Sequence, residues 1–249
     1  SRVHAKLPRP YGGFHMSGHS KWSTIKHKKA ALDAKRGKVF TRVIKELTVA
    51  ARVGGGDPDG NPRLRSAVAE AKAANMPADN IKRAIMKGTG ELPGVTYEDV
   101  VYEGYGPGGV AIYVEVLTDN KMRSTPEIRH LLTKHGGDLG QPNSVSWMFE
   151  KKGQFGIPSS ATSEERLMDV VLDAGADDIQ TGDGILEVTC ASVVFSQVQD
   201  ALEKAGIVTS HAKLVMIPTT VVDLDPKKAG QCLKLLEALE DHDDVQNVY

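Results

Sequence analysis

Four cations stand out by their spacing: Lys35, Lys38, Arg42 and Lys45. On a helical wheel of 100° per residue with Phe40 at zero, they fall between about 140° and 220°. The opposite side carries Val39, Phe40, Val43, Ile44, Leu47, Ala50 and Ala51, an apolar stripe at spacings of three and four. The segment upstream is also basic, with His19, Lys21, Trp22, Lys26, His27, Lys28 and Lys29, and Arg36 is a further candidate contact in the same cationic run. Only Asp33 and Glu46 interrupt it. Several Lys/Arg charges on one rigid face suit a phosphate backbone, because contact releases its condensed counterions. A merely solvated helix face mixes signs, since like charges three or four apart repel. Trp22 offers either a ring for base stacking or a core side chain for a helical bundle. His19 and His27 offer phosphate or base contacts.

Other chemistry is poorly supported. Asp57-Pro58-Asp59-Gly60-Asn61 resembles the start of a calcium loop, but Pro62 and Val68 stand where its glycine and closing glutamate belong. The Gly104–Gly109 run is neither a dinucleotide fingerprint nor a P-loop, and it reads as a tight turn before a strand. His130 and His135 are five residues apart, a poor metal pair on a helix. Cys190 and Cys232 are too few for a disulfide scaffold or a thiolate zinc site, and they fit a reducing compartment. Glu164-Glu165 and Asp177-Asp178 read as solvated surface. No catalytic constellation, metal site or cofactor is expected. The best polar cluster in the second half is Asn120, Lys121 and Arg123. With Tyr105, Asn120 and Arg123 are candidates to line a cleft, used by an enzyme or by an adaptor protein. Alternatively they form a strand-to-helix turn, with Thr125 as cap and Pro126 opening the helix.

The elements that must position these groups follow from periodicity. A helix is expected over Lys28–Arg52, ended by Gly54–Gly60. Asn61 then caps a second helix, with Pro62 at its first position, running to about Asn75. Pro77 opens a third that stops at Gly88. From Tyr97 the pattern changes to β-rich runs between helices. Strands are expected at 110–116, 144–149, around Phe155, at 185–190, at 211–217, near Val221 and at 245–249. Helices are expected at 123–135, 164–174, 193–205 and 226–240. This predicts an α+β fold, a three-helix domain followed by two small ferredoxin-like α/β units. The boundaries are 17–92 for the basic helical domain, 93–150 plus 218–249 for a discontinuous α/β domain, and 151–217 for a unit inserted in it. Residues 1–16 show no usable period. They read as a tag or leader ahead of Met16, or as the remnant of a transit peptide.

Charge supports this division. The 249 residues carry a formal net charge of −1, yet residues 17–90 hold 16 Lys/Arg against 6 Asp/Glu, and residues 91–249 hold 12 against 26. Such a split points to a polyanion-binding module, and the acidic part repels nucleic acid from the wrong face. Composition is that of an ordinary globular protein, with 40% hydrophobic and 25% charged residues. No apolar run approaches the roughly 20 residues that span a bilayer.

Ordered motifs along the chain add a resemblance. They are Gly18-His-Ser-Lys-Trp22, His27-Lys-Lys-Ala-Ala31, Gly54-Gly-Gly-Asp-Pro58, Asn61-Pro-Arg-Leu-Arg65, Asn75-Met-Pro77, Tyr102-Glu-Gly-Tyr-Gly-Pro-Gly-Gly109, Gly136-Gly-Asp-Leu-Gly140 and Asp243-Asp-Val-Gln-Asn-Val-Tyr249. Over residues 17–249 the chain resembles the YebC family. The resemblance implies three domains around a central cleft and a non-enzymatic role in gene expression. Bacterial members are described as probable transcriptional regulators that bind DNA. The related mitochondrial translational activator of cytochrome oxidase acts in translation, on the ribosome or mRNA. The expected partner is therefore nucleic acid, ribosomal RNA or DNA, with the ribosome as a further partner. A monomer in the cytoplasm is expected, or in the mitochondrial matrix if the leader is a transit remnant.

Overall fold

The computed structural model describes residues 36–182 and 184–249. Among the described residues there are seven α-helices and two four-stranded antiparallel sheets, an α+β architecture. Three separate hydrophobic clusters lie in the N-terminal helices, under the first sheet and under the second.

The first cluster joins α1 (Arg36–Gly54), α2 (Pro62–Ala73) and α3 (Ala78–Thr89). Leu47, Leu64, Ala67, Ala71 and Ile81 meet at its centre. Truncating a side chain such as Leu47 here costs about 2–5 kcal/mol. Gly88 lies so close to the Thr48 carbonyl and Ala51 that no Cβ fits. That small residue lets α1 and α3 cross at close range. Asn61 ties the turn: its side chain accepts from the Leu64 N–H at 3.1 Å and donates to the Ala50 and Gly55 carbonyls at 2.7 and 2.8 Å. The cap therefore stops α1 and starts α2 at once.

The first sheet begins with β1 (Glu98–Gly106) and β2 (Val110–Thr118), a hairpin paired from Glu98↔Thr118 to Gly106↔Val110. Gly108 and Gly109 take positive φ values of 81° and 78° in its turn, where side chains are disfavoured. The chain continues through α4 (Lys121–Lys134) and the short β3 (Asp138–Leu139). It then leaves, and returns with α7 (Pro226–Glu240) and β8 (Val245–Val248). The strand order is β3-β1-β2-β8. Ile112, Val114, Val116, Ile128, Leu132, Leu235, Leu239 and Val245 fill the space between sheet and helices.

Between departure and return lie β4 (Phe149–Pro158), α5 (Glu164–Leu172), β5 (Ala176–Gly182), β6 (Ile185–Ala191), α6 (Phe195–Lys204) and β7 (His211–Pro218). Their order, β5-β6-β4-β7, with helices after the first and third strands, is the ferredoxin-like arrangement. The first sheet is connected differently, because its opening glycine turn replaces a crossover helix.

Local departures from the sequence expectation have physical causes. The helix after β2 starts at Lys121, with the Asn120 side chain accepting from the Arg123 N–H at 3.1 Å. Asn120, not Thr125, is the cap, and Pro126 lies inside the helix, where it forgoes one backbone rung. Residues 144–149 alternate in sequence but form a 3-10 turn at Ser146–Met148 before β4. Val221 is in no strand and is exposed. The polar strand β5 has no sequence signature, because it is an edge with five of its seven positions exposed.

Candidate nucleic-acid interface

The described cations of the α1 stripe, Lys38, Arg42 and Lys45, each bond to another part of the chain. Lys38 donates to the Asp241 carbonyl at 2.7 Å, and Arg42 donates to the Glu240 carbonyl. Lys45 reaches the Asp243 carbonyl at 3.0 Å and Asp244 Oδ1 at 2.7 Å. These oxygens close the C-terminal end of α7, where the helix dipole and four acids in Glu240–Asp244 place negative charge. Lys45 is only 7% exposed, so it is corrected from a phosphate contact to a buried ion-pair member. The wheel placed it opposite the apolar face, but the turn after α7, the Leu117 carbonyl and the Tyr97 ring enclose that side as well.

Asp244 is the hub of this contact. Burial alone would raise its carboxyl, but hydrogen bonds from Lys45, Arg123 and Ser124 hold it well below the usual carboxylate range. Arg123 Nη2 lies 2.7 Å and Ser124 Oγ 2.8 Å from Asp244 Oδ2. Two more cations of the helical unit cross to the start of the first sheet, at Tyr97 and Asp99. Arg52 donates to the Tyr97 carbonyl, and Arg63 pairs with Glu46 at 2.6 Å and Asp99 at 3.0 Å.

Beside this contact is a cleft of about 660 Å³, lined by Lys38, Arg123, Glu127 and Asp241–Asp244. Arg123 lines this cleft. Tyr105 does not: it pairs with Ala111, while Thr118, two residues before Asn120, pairs with Glu98 at the other end of the hairpin. Asn120 is spent as a helix cap. Glu127, His242 and Asp244 bring ligand-type atoms within 4.8 Å of one another. However, Lys45 and Arg123 already occupy both oxygens of Asp244, and their charges oppose a metal ion. His242 accepts the Asp244 N–H at Nδ1 (3.2 Å), which leaves Nε2–H to donate to Glu127 at 2.9 Å. Cys190 and Cys232 are buried, and burial pushes both thiols up to about 11, away from reactivity.

His19, Lys21, Trp22, Lys26, His27, Lys28, Lys29 and Lys35 lie outside the described residues. Arg36 opens α1.

A second group of cations lies on α2 and α3. Arg65 and Lys72 on α2, seven residues apart, project on one side of that helix. Lys82, Arg83 and Lys87 occupy α3. Arg65 is half-buried and the other four are exposed, and none makes an ion pair with a described residue. The i, i+7 and i, i+4 spacings were in the sequence, but split over two helices they gave no single stripe.

Comparison with known proteins now bears on these surfaces. The TACO1/YebC protein N-terminal domain matches residues 20–91, and the TACO1/YebC second and third domain matches residues 97–249. The chain belongs to the TACO1/YebC family. A probable transcriptional regulatory protein of Acidobacterium capsulatum is 58% identical over 234 residues, 94% of this chain and 95% of that protein. One from Geobacter sulfurreducens is also 58% identical, covering 94% of each chain. The crystal structure of a conserved hypothetical protein from Aquifex aeolicus matches with a TM-score of 0.85 at 47% identity, over 92% of this chain and 95% of that one. The family match thus runs through both halves of the Lys45–Asp244 contact. No described helix is long and apolar enough to cross a membrane.

Proposed function

We propose that this chain is a non-enzymatic regulator of gene expression that binds nucleic acid through its N-terminal helical unit and works in the cytoplasm as a monomer. Each of the three hydrophobic clusters marks a domain in this reading. The observation that carries it is the set of five cations on α2 and α3 without an ion-pair partner among the described residues. Cations left in solvent on rigid helices are what a phosphate backbone engages. The basic residues from His19 to Arg36 extend this interface in sequence. The names of the relatives, probable transcriptional regulatory proteins, support a role in gene expression.

RNA is the preferred target. The connection between α1 and α2 spans residues 55–61, too long for a helix-turn-helix. Structured RNA, such as that of the ribosome, is recognised through shape and phosphate contacts without a recognition helix. Crosslinking in living cells, with sequencing of recovered RNA and DNA, tests this. Reads concentrated on RNA support it. Reads concentrated at promoters with RNA at background replace RNA by DNA. Neither above background removes the nucleic-acid reading.

A further inference from the structure

The loop from Gly140 to Met148 displays a tryptophan on a rigid support. Trp147 is 71% exposed, which is unusual for a side chain with so much apolar surface. The turn that carries it is held by the buried carboxylate of Glu103 on β1. Glu103 accepts the Asn143 N–H at 2.7 Å, the Val145 N–H at 2.8 Å and the Ser146 N–H at 2.7 Å. Burial would raise this carboxyl, but the three amides outweigh it and hold it below its ordinary value. Val145 is fully buried as an anchor, and the Gly140 N–H bonds the Glu103 carbonyl at 2.8 Å. The indole is oriented too: its N–H donates to the Ser144 carbonyl at 3.0 Å. The Tyr105 hydroxyl donates to that same carbonyl at 3.2 Å, and Tyr105 is itself 37% exposed. Two exposed aromatic side chains thus converge on one carbonyl, with the polar edge of the indole satisfied.

Charge distinguishes among partners for this surface. Residues 121–152 hold six Lys/Arg against three Asp/Glu, while the rest of residues 91–249 holds six against twenty-three. The loop therefore lies in a basic stretch of the acidic part. Lys134 and Lys151 flank it in sequence, exposed and without an ion pair to a described residue. An oriented, exposed aromatic ring on a basic segment is what stacks an unpaired base, with nearby cations to draw its phosphates.

We infer that Trp147, with Tyr105 beside it, is a stacking platform for an unpaired nucleobase, so that the nucleic acid is single-stranded where it meets the first sheet. This rests on the nucleic-acid reading above and adds the substrate class, single-stranded segments.

The test uses the full chain labelled with 5-fluorotryptophan. Its two tryptophans, Trp22 and Trp147, give two fluorine resonances, assigned with Trp147→Phe. Three probes are added: a mixed-sequence 12-nucleotide RNA strand, an abasic strand of the same length, and the blunt duplex. The Trp147 resonance is expected to shift with the single strand and to stay with the abasic strand and the duplex. Trp147→Ala is expected to lower single-strand affinity roughly 5- to 150-fold, leaving duplex affinity and melting temperature unchanged. A stationary resonance with bound single strand, or an equal shift with the abasic strand, overturns the platform and leaves the cationic interface standing. A resonance that moves with protein concentration alone assigns the face to a second copy and also overturns it. If no probe binds, both readings fall. Should Trp147→Ala fail to fold, the resonance of the unsubstituted protein still decides.

Discussion

On α1, Lys38, Arg42 and Lys45 each end on an oxygen of the corner between α7 and β8. On α2 and α3, Arg65, Lys72, Lys82, Arg83 and Lys87 end without an ion-pair partner among the described residues. The two surfaces have the same chemistry and belong to the same helical unit. They differ in what lies opposite. The C-terminal end of a helix with clustered acids imitates a polyanion well enough to take up the α1 stripe. Among the described residues, no carboxylate forms an ion pair with these five cations of α2 and α3. A cationic helix face is therefore a binding site for negative charge in general, and only the fold decides whether that charge is a ligand or another part of the chain.

The largest effect that would break this comparison is on stability. Lys45→Glu places a second carboxylate against Asp244 in a site excluded from water. It is expected to lower stability by about 3–5 kcal/mol, measured by urea unfolding. Retention of wild-type stability would mean that α1 does not need the corner. The double change Lys82→Glu with Arg83→Glu should do the opposite. Exposed substitutions of this kind shift stability by only about 0.5 kcal/mol each. Affinity for an RNA strand is expected to drop roughly 30-fold or more, and the slope of log affinity against log salt to become shallower by about 2. An unchanged slope would take Lys82 and Arg83 out of the interface.

The different fates of these surfaces also explain how much the sequence could tell. The helices, the Asn61 cap and most strands were legible, because apolar spacing and turn residues are local properties. Burial of Lys45 was not, because its partner Asp244 lies 199 residues away and a helical wheel carries no information about the far side. Tyr105 and Asn120 looked like neighbours in one cleft, but pairing along the β1–β2 hairpin sends them to opposite ends. Trp147 was hidden in an alternation that reads as strand. The Glu103 carboxylate, 42 residues from Val145, bends that segment into a turn instead. In each case the local pattern was right about polarity and silent about a long-range partner.

A third, smaller effect concerns acid. The Asp244 carboxyl in the folded protein titrates well below its unfolded value of about 3.9. Its ionised form therefore adds stability that is fully present above about pH 4 and is lost as pH falls through the lower folded value. Asp244→Asn keeps most of the shape and removes the charge. It is expected to cost about 1–2 kcal/mol at pH 7, and the gap to wild type should narrow between pH 4 and pH 2 in urea unfolding. A constant gap over that range would mean that the hydrogen bonds, not the charge, hold the corner together.

The smallest effect sharpens the comparison within α1 itself. Lys38 lies at the rim of the same contact, with its side chain 45% exposed and its ammonium 3.9 Å from the Asp241 carboxylate. Water competes for both groups there, and an exposed pair of this kind contributes at most about 1 kcal/mol. Lys38→Ala is accordingly expected to lower the melting temperature by no more than about 4 °C, well short of the Lys45 variant. The same substitution reads out binding as well. If Lys38 serves only the α7 corner, RNA affinity and its salt slope stay at the wild-type values. If the exposed rim also meets phosphate, the slope becomes shallower by about 1. A shallower slope would make Lys38 the one α1 cation shared between the chain's own acids and a ligand, and the boundary between the two surfaces would then run along α1 instead of between α1 and its neighbours.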